Sequence, residues 1–195
     1  MIKKKYKAIL FDMDGTLVPL DTYEFSVGYF KGLCKKLKHH NMKDEEVVNA
    51  IWAGTKAMYK NDGKVTNDVV FWNVFESLMG KGKDEIDADC LDFYKNEFHE
   101  AISYTGPNPL AVEAVRLART KADLVILATN PLFPMVGQVT RMGYVGLTPD
   151  MFDHVSCYEN DRFCKPNPNY YLETLKKFNL DPKDCLMVGN DEFED

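Results

Sequence analysis

Two aspartates one residue apart close a short apolar run: Ala8-Ile9-Leu10-Phe11 leads directly into Asp12-Met13-Asp14-Gly15-Thr16. The run is too short for a helix, and a short apolar run stopped by acids and glycine reads as a buried strand entering a loop. In an open α/β sheet, ligands bind in the crevice outside the carboxyl ends of such strands. Residues two apart in a strand face the same side, and Gly15 permits the turn that aims both carboxylates at one small volume. Carboxylates so placed repel unless a cation lies on them or one keeps its proton. One can attack a phosphorus or carbon centre while its neighbour handles a proton. Their hard oxygens suit Mg²⁺, which takes one or two carboxylates together with water and substrate phosphate.

From 21 to about 102 the pattern is helical. Asp21 with Glu24 makes a capping-box-like start, after which Phe25, Tyr29, Leu33 and Leu37 recur every fourth residue. Lys35, Lys36, Lys38, His39 and His40 sit where cations favour a helix C-terminus, so the histidines read as dipole and solvent groups, not ligands. Asp44 opens a second helix with Val47, Val48, Ile51, Trp52 and Met58 on its apolar face, closed by Asn61-Asp62-Gly63. A third is expected from Thr66 to Gly80 and a fourth through Ile86, Leu91, Tyr94, Phe98 and Ile102. Four amphipathic helices with short links predict a small bundle, inserted because strand signals resume only after it.

Asn108 as N-cap and Pro109 as first residue start the next helix. A buried strand follows over 123–128, ending at Thr129-Asn130-Pro131, then a helix over 134–142 and a short strand near His154. Asn167 and Pro168 begin the last helix, and the strand over 185–188 ends at Gly189-Asn190-Asp191. Strands alternating with helices predict a doubly wound parallel sheet. Such a sheet delivers Asp12 and Asp14, Thr129 and Asn130, the loop carrying Lys165, and Asp191 and Asp195 to one edge.

Net charge is −6, which excludes a basic footprint for nucleic acid or an anionic membrane. Phosphate binding then needs a local device: a metal, a lysine or backbone amides. Five scattered cysteines without a C-x-x-C pair predict neither a disulfide framework nor a zinc site, and fit reduced thiols in the cytoplasm. The lysines of Met1-Ile2-Lys3-Lys4-Lys5 read as a solvated lead-in to the first strand, since the apolar run behind them is too short for a signal peptide. No stretch approaches the ~20 apolar residues of a membrane helix.

Taken together, Asp12-Met13-Asp14-Gly15-Thr16, Thr129 after an apolar strand, Lys165 before Pro166, and Gly189-Asn190-Asp191 through Asp195 closely resemble the four ordered motifs of the haloacid dehalogenase (HAD) superfamily. The resemblance covers almost the whole chain and implies a Rossmann-like core over 1–18 and 105–195 with a helical cap of the C1 type over 19–104. It implies a Mg²⁺-dependent phosphatase acting on a small phosphorylated metabolite. Asp12 would be the nucleophile and Asp14 the acid and base. Thr129 and Lys165 would stabilise the phosphoryl group, with Asn130 beside them in the substrate site. The metal would be held by Asp12, the carbonyl of Asp14 and an acid of the fourth motif.

Two departures from the family pattern stand out. The residue after Gly189, often a metal-binding Asp in the family, is Asn190; either Asp191 replaces it or Asn190 coordinates through its amide oxygen, with Asp191 preferred and Asp195 assigned to the metal's waters or to Lys165. The sequence also stops at Asp195, where family members continue with a further strand and helix. The resulting expectation is a fragment of a longer phosphatase, weak in Mg²⁺ binding and turnover. Among rival readings, dehalogenation is disfavoured because the family's dehalogenases lack the second acid of the first motif. A phosphomutase and a non-catalytic scaffold are the remaining alternatives.

Overall fold

The computed structural model describes residues 5–102 and 106–195. The lead-in through Lys4 and the expected end of the helical insertion at 104 lie outside them. A four-stranded, all-parallel sheet has the order β3-β2-β1-β4, with β1 Tyr6–Phe11, β2 Ala122–Leu127, β3 His154–Val155 and β4 Cys185–Val188. Ile9 of β1 is registered between Val125 of β2 and Leu186 of β4.

The alternation of β1 explains its unbroken apolar run. Ile9 and Phe11 enter one core with Val125, Leu127 and residues of α6 (Ala111–Lys121) and α7 (Met135–Tyr144). Ala8 and Leu10 enter another with Ile126 and Tyr170 of α8 (Pro168–Lys177). A strand covered on both faces has no polar side to show.

After β1, the described residues from Thr22 to Ile102 carry five α-helices: α1 Thr22–Leu37, α2 Asp44–Tyr59, α3 Asn67–Met79, α4 Lys83–Asn96 and α5 Phe98–Ile102. Asp21 caps α1, its side chain accepting from the N–H groups of Tyr23 and Glu24 at 3.0 Å each. The apolar stripe of α1 packs with Val47, Ile51, Phe75, Ile86 and Phe93 in a core separate from those of the sheet. Phe133, Val136 and Tyr144 of the sheet domain press against it.

Two element boundaries differ from expectation. The predicted fourth helix breaks at Glu97 into α4 and α5, and the break turns Phe98 inward among Phe25, Tyr29, Phe93 and Tyr94. Burying an aromatic ring outweighs one turn of helix. Asn108 does not cap α6, which starts at Ala111. Its side chain instead donates to the Leu17 carbonyl at 2.9 Å and accepts from the Leu110 N–H at 3.1 Å, tying α6 to the loop after β1. Asn167, by contrast, caps α8 with Pro168 in its first turn as expected. His39 and His40, read as solvated dipole groups, also close the end of α1 onto Asp89 of α4 through the Nε2 atoms of both rings. Among the described residues, no helix is long and apolar enough to cross a membrane.

Candidate active site

Asp12 continues β1 by one residue, its N–H donating to the Val188 carbonyl at 2.9 Å. Met13 turns the opposite way and is fully buried, and its carbonyl accepts from the N–H groups of Leu17 and Val18 at 3.0 and 2.8 Å. This tight loop leaves Asp12 and Asp14 on the same side. Gly15 has φ +77, and a Cβ there would lie 2.6 Å from Asn190 Nδ2. The conformation favours glycine, and a Cβ would in addition push the Asn190 side chain aside.

Lys165 is wholly buried, and its ammonium donates to Asp12 Oδ1 at 2.8 Å and to Asp195 Oδ1 at 2.6 Å. Burial pushes the Asp12 carboxyl above its ordinary range, the Lys165 charge opposes this, and Asp14 and Asp195 add to it. The other oxygen of Asp195 accepts from the N–H groups of Asn190 and Asp191 at 3.2 Å each. One carboxylate therefore both folds the loop after β4 and anchors the lysine.

The residues after β4 part company. Asp191 accepts from the N–H groups of Phe193 and Glu194 at 2.8 and 3.1 Å, which hold its carboxyl below the usual range. Asn190 instead accepts from the Thr16 hydroxyl at 3.0 Å, and that hydroxyl also lies 3.4 Å from Asp12 Oδ2. Thr16 thus links Asn190 to Asp12.

At the end of β2, Thr129 is fully buried and its hydroxyl has no hydrogen-bond partner, nor has the side-chain oxygen of Asn130. Native structures leave few buried polar groups unpaired, and of these two Asn130 lines the cavity that also holds Asp12 and Asp14. The Asn130 amide nitrogen reaches Tyr59 of α2 at 3.2 Å and Glu194 at 3.4 Å, joining the helical insertion to the loop after β4.

One participant was not anticipated from the sequence. Arg141 of α7 is 1 % exposed; its guanidinium pairs with Asp14 Oδ1 and donates to Gln138 Oε1 at 3.1 Å. It also lies over the rings of Phe133 and Phe25, 4.8 and 5.5 Å from their centroids. No sequence signal marked it: α7 buries Gln138 and Arg141 and exposes Val139, the reverse of what polarity alone predicts.

A doubly wound parallel sheet whose central strand ends in an Asp-x-Asp loop facing a buried lysine is the Rossmann-like architecture of the HAD superfamily. The family model for haloacid dehalogenase-like hydrolases matches residues 6–195, and the chain belongs to that family of hydrolases. No curated protein matches it. Among solved structures it is similar to a 2-haloacid dehalogenase from Pseudomonas syringae pv. tomato, with 21% identity over 97% of this chain and 80% of that one and a TM-score of 0.59. A HAD phosphatase from Thermococcus onnurineus is 18% identical over 97% and 79% of the two chains, TM-score 0.55. A HAD family enzyme from Bacteroides thetaiotaomicron, solved with magnesium and inorganic phosphate, is 18% identical over 97% and 87%, TM-score 0.53. At these identities the likeness is one of fold, and it spans dehalogenases and phosphatases alike.

Proposed function

We propose that this hydrolase is a phosphomonoesterase working through an aspartyl-phosphate on Asp12. The observation that carries the reading is the second carboxylate, Asp14, held by Arg141 beside Asp12 and its lysine partner. Displacing an alkoxide requires a proton donor, whereas displacing a halide does not. An Asp12 oxygen bonds to phosphorus as the ester P–O bond breaks, and the electron pair leaves on the alcohol oxygen, which takes the proton of Asp14. Water then attacks phosphorus, Asp14 takes its proton, and phosphate departs with the Asp12 carboxylate restored. Lys165 holds Asp12 in place, and the unpartnered Thr129 hydroxyl at the end of the neighbouring strand supports a role for it as a donor to a phosphoryl oxygen.

The oxygen donors fit Mg²⁺: the Asp12 carboxylate, the Asp14 carbonyl and the Asn190 amide oxygen are all hard ligands, and Thr16 touches both of the side chains among them. Bound there, the ion would offset the negative charge shared by nucleophile and phosphate. Asp191, the ligand preferred from the sequence, accepts two backbone N–H groups through Oδ1, whereas Asn190 shares the Thr16 hydroxyl with Asp12; on that link to the nucleophile Asn190 takes the role in this proposal. Asn190→Ala is therefore expected to weaken Mg²⁺ activation more than Asp191→Asn does; the reverse order returns the role to Asp191. The activity itself is tested by phosphate release from p-nitrophenyl phosphate with Mg²⁺, its loss in EDTA and its recovery on adding Mg²⁺ back. Metal-independent chloride release from 2-chloropropionate without phosphate release would overturn the proposal in favour of dehalogenation.

A further inference from the structure

A single cavity of about 440 Å³ is lined both by Asp12 and Asp14 and by the interior of the helical insertion. Inside the insertion its wall is aromatic and aliphatic, drawn from all of the first four helices: Phe25 and Tyr29 of α1, Trp52 of α2, Phe71 of α3, Tyr94 of α4. Protein interiors pack to crystal-like density, so a space of this size between side chains able to interdigitate is a built feature. Its volume lies in the range of small-molecule sites.

The charges on the wall narrow the occupant. Among the described residues lining the cavity there are six acids, Asp12, Asp14, Asp87, Asp191, Glu194 and Asp195, and one base, Arg141. Arg141 is already engaged by Asp14 and Gln138. No cation is left for a second phosphate or a carboxylate, and the acids repel one. Polar groups on the insertion's part of the wall are a minority: Asp87, Thr22, Thr55, Tyr158 and the unpartnered Trp72 Nε1 stand among aromatic and aliphatic side chains. The hydroxyls of Tyr29 and Tyr94 bond to each other at 2.8 Å, and that of Ser26 donates to the Thr22 carbonyl at 2.7 Å. Against a wall that is mostly aromatic and aliphatic, a polyol finds fewer partners than its hydroxyls need, at a cost in affinity for each one left unpaired.

We infer that the cavity receives the leaving group of the phosphate ester and selects an apolar alcohol, aryl or alkyl, over polyols and over any alcohol carrying a second anion. That the leaving group comes from a phosphate ester rests on the proposed activity; the selection of an apolar group without a second anion rests on the cavity alone.

The test uses two readouts that fail separately. In the first, kcat/KM is measured with Mg²⁺ for benzyl phosphate, glycerol 3-phosphate and phosphoglycolate, with acetyl phosphate as a donor whose leaving group is too small to fill the cavity. Benzyl phosphate is expected to exceed the other two monoesters by at least tenfold. Thr55→Phe, which places a ring on the cavity wall, should lower kcat/KM for benzyl phosphate at least tenfold through KM and leave acetyl phosphate within threefold. A preference for glycerol 3-phosphate or phosphoglycolate, or equal losses for both donors in Thr55→Phe, overturns the inference. In the second, 2-phenylethanol and glycerol are compared for their effect on Tm of the wild type and of Thr55→Phe. Stabilisation of the wild type by 2-phenylethanol alone, lost in Thr55→Phe, supports the cavity's selectivity even where no donor is turned over and the phosphatase reading itself has failed. Absence of that stabilisation overturns the inference.

Discussion

Asp12 carries a cost that is useful only with a metal or substrate present. Its carboxyl is buried beside Asp14 and Asp195, and its pKa lies above the ordinary 3.8 despite Lys165. The folded chain therefore holds a proton on Asp12 more tightly than the unfolded chain does, and without metal this group's contribution falls as pH rises through the folded-state pKa. Asp12→Asn is expected to abolish turnover while raising the metal-free Tm at neutral pH by roughly 2–4 °C, the equivalent of about 1 kcal/mol. An unchanged rate of phosphate release would remove Asp12 from the nucleophile's role. Arg141 acts one residue further out. Because its guanidinium grips Asp14 Oδ1, Arg141→Gln frees the acid to leave its productive position, and kcat is expected to drop by about 10²-fold. Acting through Asp14, it should show strong non-additivity with Asp14→Asn in a double-mutant cycle on kcat. Additive losses would mean that Arg141 touches the substrate independently.

At the scale of elements, the helical insertion is tied to the sheet by a polar contact that apolar periodicity does not reveal. Asn67, the first residue of α3, is fully buried; its side chain donates to the Pro131 carbonyl and to Cys164 Sγ, 3.4 Å each, and accepts from Asn61 Nδ2 at 2.9 Å. Its backbone N–H donates to the Asp161 carbonyl at 2.9 Å. One residue thus joins α3 to the loop after Thr129 and to the loop that presents Lys165. Asn67→Ala leaves several buried groups unpaired, and a loss of about 2 kcal/mol is expected, read as a drop in Tm of roughly 4–8 °C. Asn67→Asp, which keeps the acceptor for Asn61 but turns an oxygen toward the Pro131 carbonyl in a buried site, should not recover that loss. A Tm within one degree of wild type for Asn67→Ala would show that the contact contributes nothing.

Over the whole molecule, the site is assembled from distant parts of the chain: Asp12, Thr129, Lys165 and Asp195 each follow a different stretch of sheet or loop, and the insertion adds Tyr59 against Asn130. A ligand that binds only this assembled arrangement stabilises the fold by mass action, by about 2.7 kcal/mol at a hundredfold excess over Kd. Saturating Mg²⁺ is accordingly expected to raise the wild-type Tm by roughly 5–10 °C and to leave Asp12→Asn near its metal-free value. Equal shifts in both proteins would place the ion elsewhere.

Local chemistry decided much of this without the fold. Apolar runs stopped by Asp12 and Thr129 announced parallel strands and the edge at which they meet, because a strand covered on both faces must be apolar along its length and polar only where it emerges. Caps at Asp21 and Asn167 were legible because they depend on neighbours within three residues. What depends on distant neighbours was not. The inward turn of Phe98, the diversion of Asn108 to Leu17, and Asn67 buried against the loops of the sheet domain are tertiary choices that override local preference. The same holds for the site: Arg141 reads as a surface residue of an amphipathic helix until Asp14, 127 residues earlier, supplies its partner. Asn190 and Asp191 are adjacent and chemically alike as oxygen donors. Only the backbone turn after β4, which commits Asp191 to its own N–H groups and turns Asn190 toward Thr16, separates them.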